Sequence, residues 1–314
     1  MAERICSRCR KVRQPPIEGP CPHCRGYYRT LAPRRAPGER QEEPDGAESA
    51  AAILERHADD PQLQLRPTGM RGVDHVFGGG LPQFGAILLS AKEGTGKSSF
   101  LLELFLTLAA QHIRCLFVAL EQGKRQLVQQ FQRFGHDRIE RAGHYLKIDA
   151  QKELFDVLSS IERARADVVA VDSVHWVEGV LDDHGQPMKS GSAGAVERVA
   201  RDVQALCNEL GCLVFLVGHM NNDGTMAGGH ALRHAVDATL GLRRIDEDNL
   251  RDPRRVLRFE TKTRWGDVGP EALFKMAGDG FHDCGPRGAG RDAEPDDDED
   301  EDLPPRGGRL RVVN

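Results

Sequence analysis

Apolar residues along this 314-residue chain gather into short runs, separated by longer stretches where they recur every three or four positions. The runs are Ala86-Ile87-Leu88-Leu89, Cys115-Leu116-Phe117-Val118, Val168-Val169-Ala170-Val171 and Leu213-Val214-Phe215-Leu216-Val217. Runs this short and this continuous predict strands covered on both faces, as in a parallel sheet. Residues 97–111, 124–134, 151–165 and 194–210 carry helical spacing, with Phe100, Leu101, Leu104 and Leu108 predicting an amphipathic first helix. The alternation predicts an α/β fold with helices on both faces of the sheet.

The pattern starts only near residue 63. Over 31–62, Pro33, Pro37, Pro44, Pro61, Gly38 and mixed charge predict a linker. A short helix about Ser49–His57 is expected within it, because Ala50-Ala51-Ala52-Ile53-Leu54 follows a serine suited to capping. Residues 1–30 read as a separate small module, 63–283 as the core, and 284–314 as a disordered acidic tail.

The first strand leads into Ala91-Lys92-Glu93-Gly94-Thr95-Gly96-Lys97-Ser98, a phosphate-binding P-loop with Ala in place of the first Gly. Glycines there let backbone N–H groups curl around phosphates, and the next helix adds its N-terminal dipole. Glu93, Gly94, Thr95, Gly96, Lys97, Ser98 and Ser99 are therefore the expected ATP contacts. Lys97 would reach the β/γ-phosphates, and Ser98 would ligate Mg²⁺. Val168–Val171 ends in Asp172, a carboxylate at a strand's C-terminal end that suits the Mg²⁺ water shell. Glu121 ends the Cys115–Val118 strand in the same way, where it can orient or deprotonate an attacking water. His219 follows the Leu213–Val217 strand, and a polar residue there can sense the γ-phosphate.

Four of the eight cysteines fall near the start, as Cys6-Ser-Arg-Cys9 and Cys21-Pro-His-Cys24. Two C-x-x-C units at this separation predict a closed, structural Zn²⁺ site rather than a redox pair. So small a segment cannot bury a core, so the metal would supply its folding energy. Arg8, Arg10, Lys11 and Arg13 fit either contact with nucleic acid or a solvated face. Cys115, Cys207 and Cys212 read as packing residues. His230 and His234 have i, i+4 spacing but no third ligand near them.

Charge sharpens the division. Residues 1–40 hold ten basic residues against three acidic, a net of +7, whereas 292–302 hold nine acids and no base. The whole chain sums to only −5. The opening residues contain no apolar leader and no run approaches a membrane span, so a cytoplasmic protein is expected.

Residues 68–100, from Thr68-Gly-Met-Arg-Gly-Val-Asp74 through Phe77-Gly-Gly-Gly-Leu81-Pro82 to the P-loop, resemble the opening of RecA-like ATPases of the RadA/Sms and KaiC group. The four-cysteine head resembles RadA/Sms in particular. So do the run Gly218-His219 to Gly228 with Leu232-Arg-His234-Ala-Val-Asp237, and Lys262-Thr263-Arg264-Trp265-Gly266, which is similar to that family's K-N-R-F-G. The resemblance implies a RecA-like core and a ring- or filament-forming, DNA-dependent ATPase of recombinational repair acting on single-stranded or branched DNA. It makes Glu121 the catalytic carboxylate and has Lys262 and Arg264 act on a neighbouring subunit's γ-phosphate. In RadA/Sms a Lon-protease-like domain follows this core, and the short Gly/Asp/Glu/Pro-rich stretch after Phe281 is expected not to form one. In the loop Met220–Met226, the counterpart of a RecA-type DNA-binding loop, the chain carries Asn221-Asn222 where the family has Thr-Lys, and His230 stands in place of an Arg. Fewer cations reduce the electrostatic share of DNA affinity. The alternative is a KaiC-like regulatory scaffold that switches protein partners without a DNA role.

Overall fold

The computed structural model describes residues 4–6, 11–13, 20–22, 25–30, 49–220 and 229–288. A small antiparallel sheet takes β1 (Arg4–Cys6), β2 (Val12–Arg13) and β3 (Tyr28–Thr30) in the order β2-β1-β3. Then come α1 (Ala50–Arg56), α2 (Arg71–Val76), β4 (Gly85–Lys92), α3 (Lys97–Ala109), β5 (Cys115–Ala119), α4 (Lys124–Phe134), α5 (His136–Ala142) and β6 (Leu146–Asp149). The chain continues through α6 (Leu154–Ala164), β7 (Val168–Asp172), α7 (Ala193–Leu210), β8 (Leu213–Met220), α8 (Gly229–His234), β9 (Ala238–Arg244), β10 (Arg254–Phe259), β11 (Glu271–Ala277) and β12 (Gly280–Pro286).

The nine strands from β4 onward form one sheet, ordered β12-β11-β10-β9-β4-β8-β7-β5-β6. The six strands from β9 to β6 in that order run parallel, and β9 to β12 close it as an antiparallel meander. Side chains alternate faces along a strand, and here both faces are buried. Ile87, Leu89, Phe117, Ala170 and Phe215 enter one core with α3, while Leu88, Val118, Val169, Val171 and Leu216 enter the other with α6 and α7. That is why each run reads as continuously apolar. Each such Leu, Val or Phe contributes about 1.5–3 kcal/mol on full burial.

The four predicted strands and four predicted helices are all present. Ser49 caps α1, its hydroxyl accepting from the Ala52 N–H at 3.2 Å. The first core helix departs from the amphipathic prediction. α3 is buried on nearly every side, because α5 and β12 pack on it in addition to the strands β4, β5 and β6. The antiparallel half was the less visible part. β11 buries only alternate residues, and β12 (Gly-Phe-His-Asp-Cys-Gly-Pro) anchors itself mainly through Phe281, edge-on to Phe100 with centroids 5.9 Å apart. Such pairs add about 1 kcal/mol beyond area burial. β12 runs to Pro286, so the sheet continues past the expected boundary at 283. Residues 31–48 of the expected linker, and 289–314 of the expected tail, lie outside the described residues.

Candidate active site

Four adjacent strands end at one edge. The C-terminal ends of β4, β8, β7 and β5 lie side by side, and each carries one of the predicted polar groups. Register puts Ala91 opposite His219, and Ala119 opposite Asp172. The Leu120 and Glu121 N–H groups both donate to the Asp172 carbonyl, at 2.7 and 3.3 Å, which ties Glu121 to the end of β7.

Between β4 and α3 the loop turns with Gly94 at φ 68° and Gly96 at φ 99°, left-handed values that favour glycine. A Cβ on Gly96 would lie 2.9 Å from the Phe281 ring and 3.0 Å from Met276 Sδ, so the meander closes the back of the loop. Lys97 is 7% exposed and donates to the carbonyls of Ala91 at 3.0 Å and Lys92 at 3.4 Å. Burial lowers its pKa, against the pull of Asp172, Glu121 and Glu93. Thr95 and Ser99 are buried, and Glu93 and Gly94 are exposed at the rim.

Asp172 is 3% exposed. Burial pushes its carboxyl up to about 6, a hydrogen bond from Ser98 works against this, and nearby Glu121 adds to it. Its Oδ1 has no hydrogen-bond partner. A buried carboxylate oxygen left over beside the P-loop serine is the donor set a magnesium ion takes, so Ser98 and Asp172 fit that ion. His219 bridges the remaining groups, with Nε2 3.1 Å from Ser173 Oγ and 3.4 Å from Glu121 Oε2, and its ring 5.3 Å from that of His175. Burial and the Lys97 charge lower its pKa, with Glu121 opposing. Ser173 follows Asp172 directly and His175 lies three positions on, and neither carries a sequence signal beyond its place near Asp172.

Two arginines from the meander, absent from the expected site, also reach the loop. Arg255 donates through Nε to the Thr95 carbonyl at 2.9 Å, and Arg244 through Nη2 to the Gly94 carbonyl at 2.9 Å. Lys92, just before the loop, pairs with Glu247 from the β9–β10 turn. These residues lie some 150 positions downstream, and nothing local in the sequence links them to the loop.

Lys262 and Arg264 are not at this edge. Lys262 donates to the Val236 carbonyl, and Arg264 Nη1 lies 3.1 Å from Asp237 Oδ1. Asp237 in turn accepts from the Ala86 N–H at 2.8 Å, and Trp265 packs on Gly85. Those contacts sit at the start of β4, and a strand advances about 3.3 Å per residue, so they lie roughly 20 Å from the P-loop of the same chain.

The cysteine head is only partly described. Cys6 and Cys21, one from each C-x-x-C pair, join Tyr28 in a buried cluster, while Cys9 and Cys24 lie outside the described residues. The expected zinc site is therefore not supported: among the described residues no group of three or more His, Cys, Asp or Glu could hold a metal. Asn221, Asn222 and the rest of 221–228 also lie outside them, as does the His230 side chain. Cys115, Cys207 and Cys212 are buried in the core as expected, with burial pushing the Cys115 thiol up to about 12. No helix among the described residues is long and apolar enough to cross a membrane.

A P-loop at the edge of a mostly parallel sheet, with carboxylates at the ends of neighbouring strands, defines a RecA-like P-loop nucleotide-hydrolysing core. The chain belongs to the KaiC ATPase family, whose model matches residues 66–274. It is similar to the DNA repair protein RadA of Rickettsia felis, at 27% identity over 88% of this chain and 58% of that protein. It is similar to the DNA repair protein RadA of Escherichia coli K12, at 26% identity over 89% of this chain and 59% of that protein. The chain thus spans about three-fifths of the length of these relatives. A crystal structure of a KaiC-like protein from the archaeon Pyrococcus horikoshii OT3 shares the fold, with a TM-score of 0.56 and 18% identity over 70% of this chain and 99% of that one.

Proposed function

We propose that this protein is a magnesium-dependent, RadA-like ATPase that works as a homo-oligomer on single-stranded or branched DNA in recombinational repair. The observation that carries the ATPase chemistry is the meeting of Lys97, Ser98, Asp172, Glu121 and His219 at one sheet edge. Lys97 and the loop residues Glu93–Ser99 bind the phosphates. Ser98 and Asp172 hold Mg²⁺, which when bound neutralises developing phosphate charge. Glu121 orients the attacking water, and His219, touching both Glu121 and Ser173, reports the γ-phosphate.

Lys262 and Arg264 act in trans in this reading. Its support is their separation from the chain's own P-loop: a side chain roughly 20 Å away cannot touch that loop's γ-phosphate, whereas a neighbour's can be reached. Arg264 is 67% exposed in its side chain and so is presented outward. The DNA role is supported by the names of the RadA relatives, and the zinc role of Cys6, Cys9, Cys21 and Cys24 by their spacing.

A second reading, a KaiC-like switch for protein partners, draws on the loop after β7. That loop carries Asp182 and an exposed Asp183 beside a single Lys189, a poor electrostatic match for phosphates. One experiment separates the two. ATP turnover is measured with and without single-stranded DNA at low and high salt, for the native protein, Lys97→Ala and Glu121→Gln. We expect turnover lost in both variants, nucleotide binding kept in Glu121→Gln, and DNA stimulation that fades with salt. Robust turnover in both variants sinks the mechanism, and no stimulation at low salt sinks the DNA role.

A further inference from the structure

The phosphate loop is held from behind by groups that take no part in the chemistry described above. A P-loop works by turning its N–H groups inward to the phosphates, which turns its carbonyls outward. Those carbonyls need donors of their own, since a buried polar group without a partner is costly. Here the donors come from the meander, Arg255 for Thr95 and Arg244 for Gly94.

Arg255 is built into its place. It is 3% exposed, yet among the described residues it makes no ion pair. Besides Thr95 it donates through Nη1 to the carbonyls of Asp252 at 2.6 Å and Arg254 at 2.9 Å. Nη2 lies 3.8 Å from Met276 Sδ, the atom that also backs Gly96. The nearby carboxylate of Asp252 is taken by Arg254, through Nε and Nη2 at 3.1 Å each. With three carbonyls and a thioether as its hydrogen-bond partners the guanidinium keeps its full charge, and the Asp252 carboxylate nearby compensates part of the cost of burying it. Burial, and after it the neighbouring Arg244, lower the Arg255 pKa, with the Asp252 carboxylate opposing them. A polyphosphate on the loop's inner side would add a second anion to that of Asp252.

We infer that Arg255, with Arg244, is a positioning residue for the phosphate-binding loop: the pair fixes its outward carbonyls, and the buried Arg255 supplies positive potential for a nucleoside di- or triphosphate. This rests on the P-loop reading of Proposed function. It assigns the antiparallel meander a share in nucleotide affinity, separate from the hydrolytic groups on β5, β7 and β8.

The test measures dissociation constants for ADP and ATP, and turnover at saturating ATP, for Arg255→Gln, Arg255→Lys, Arg244→Ala and Lys97→Ala in the full chain, with circular dichroism as the check of folding. A lost hydrogen bond from a charged donor corresponds to about a tenfold weakening. We expect Arg255→Gln and Arg244→Ala to weaken both nucleotides by about that factor, with a much smaller change in saturated turnover, and Arg255→Lys to fall between. Should Arg255→Gln fail to fold, Arg244→Ala and Arg255→Lys carry the same comparison. Folded variants that bind ADP and ATP as the native protein does, while Lys97→Ala does not bind, overturn the inference and leave the nucleotide site standing. Native-like binding by Lys97→Ala overturns the nucleotide site, and the inference with it.

Discussion

Replacing Asp172 by Asn should stabilise the nucleotide-free protein, although it removes a group from the site. The Asp172 carboxyl is buried, one oxygen is unpartnered, and its pKa is pushed from 3.8 up to about 6. Its folded value lies above its unfolded value, so its contribution to stability is full below about pH 4 and is lost as pH rises through 6. A shift of about two units corresponds to roughly 3 kcal/mol for holding the charged form at pH 8. Asn has the same shape and no charge, so it escapes that term. The predicted gap in favour of Asp172→Asn is therefore about 3 kcal/mol at pH 8, narrowing to about 1 kcal/mol at pH 4.5. Urea unfolding of both proteins without nucleotide or magnesium, at the two pH values, reads this directly. The same comparison with Mg²⁺ and ATP should reverse the order, because only the carboxylate form gains from the ion. A variant less stable than the native protein at pH 8, or a gap that does not change with pH, refutes the reasoning.

Two further outcomes follow from the geometry. Arg264→Ala, which removes an outward guanidinium roughly 20 Å from its own P-loop, should leave the ATP dissociation constant within about twofold and cut turnover by about 10³-fold if it acts in trans; mixing it with a Glu121→Gln chain should restore part of the turnover, and no restoration counts against action between subunits. Elemental analysis of the purified chain should find about one zinc per molecule, with the amount dropping sharply in Cys9→Ser if four thiolates share the ion; a metal-free native protein removes zinc from the picture.

The parallel half of the fold was legible because burial on both faces leaves uninterrupted apolar runs, and Val168–Val171 or Leu213–Val217 admit few other readings. The strand-end groups Asp172, Glu121 and His219 were legible for the same reason, since each run ends in a polar residue. β12 was not. It depends on Phe281 and on a cover that α3 supplies from far away in sequence. Arg255 gives the sharpest case. In sequence it is one of several arginines between 243 and 258, and only the β9-β10 pairing turns it toward Thr95 while Arg258 turns to Glu271. A contact made across the sheet leaves no local signature, whereas a phosphate loop, built from consecutive residues, does.

β10 touches the two ends of the sheet. Its second residue, Arg255, lies against the chain's own phosphate loop, and the residues just after it, Lys262 and Arg264, sit at the far edge beside Ala86 and Asp237. Hydrogen-bonded to β9 on one side and β11 on the other, the strand is laced too firmly to stretch. If Lys262 and Arg264 act in trans as proposed, a head-to-tail assembly would make it a measuring rod with one end in each of two successive nucleotide sites. The interval between those sites would then be set inside a single subunit, by a fixed number of residues, and not by how well two surfaces happen to fit.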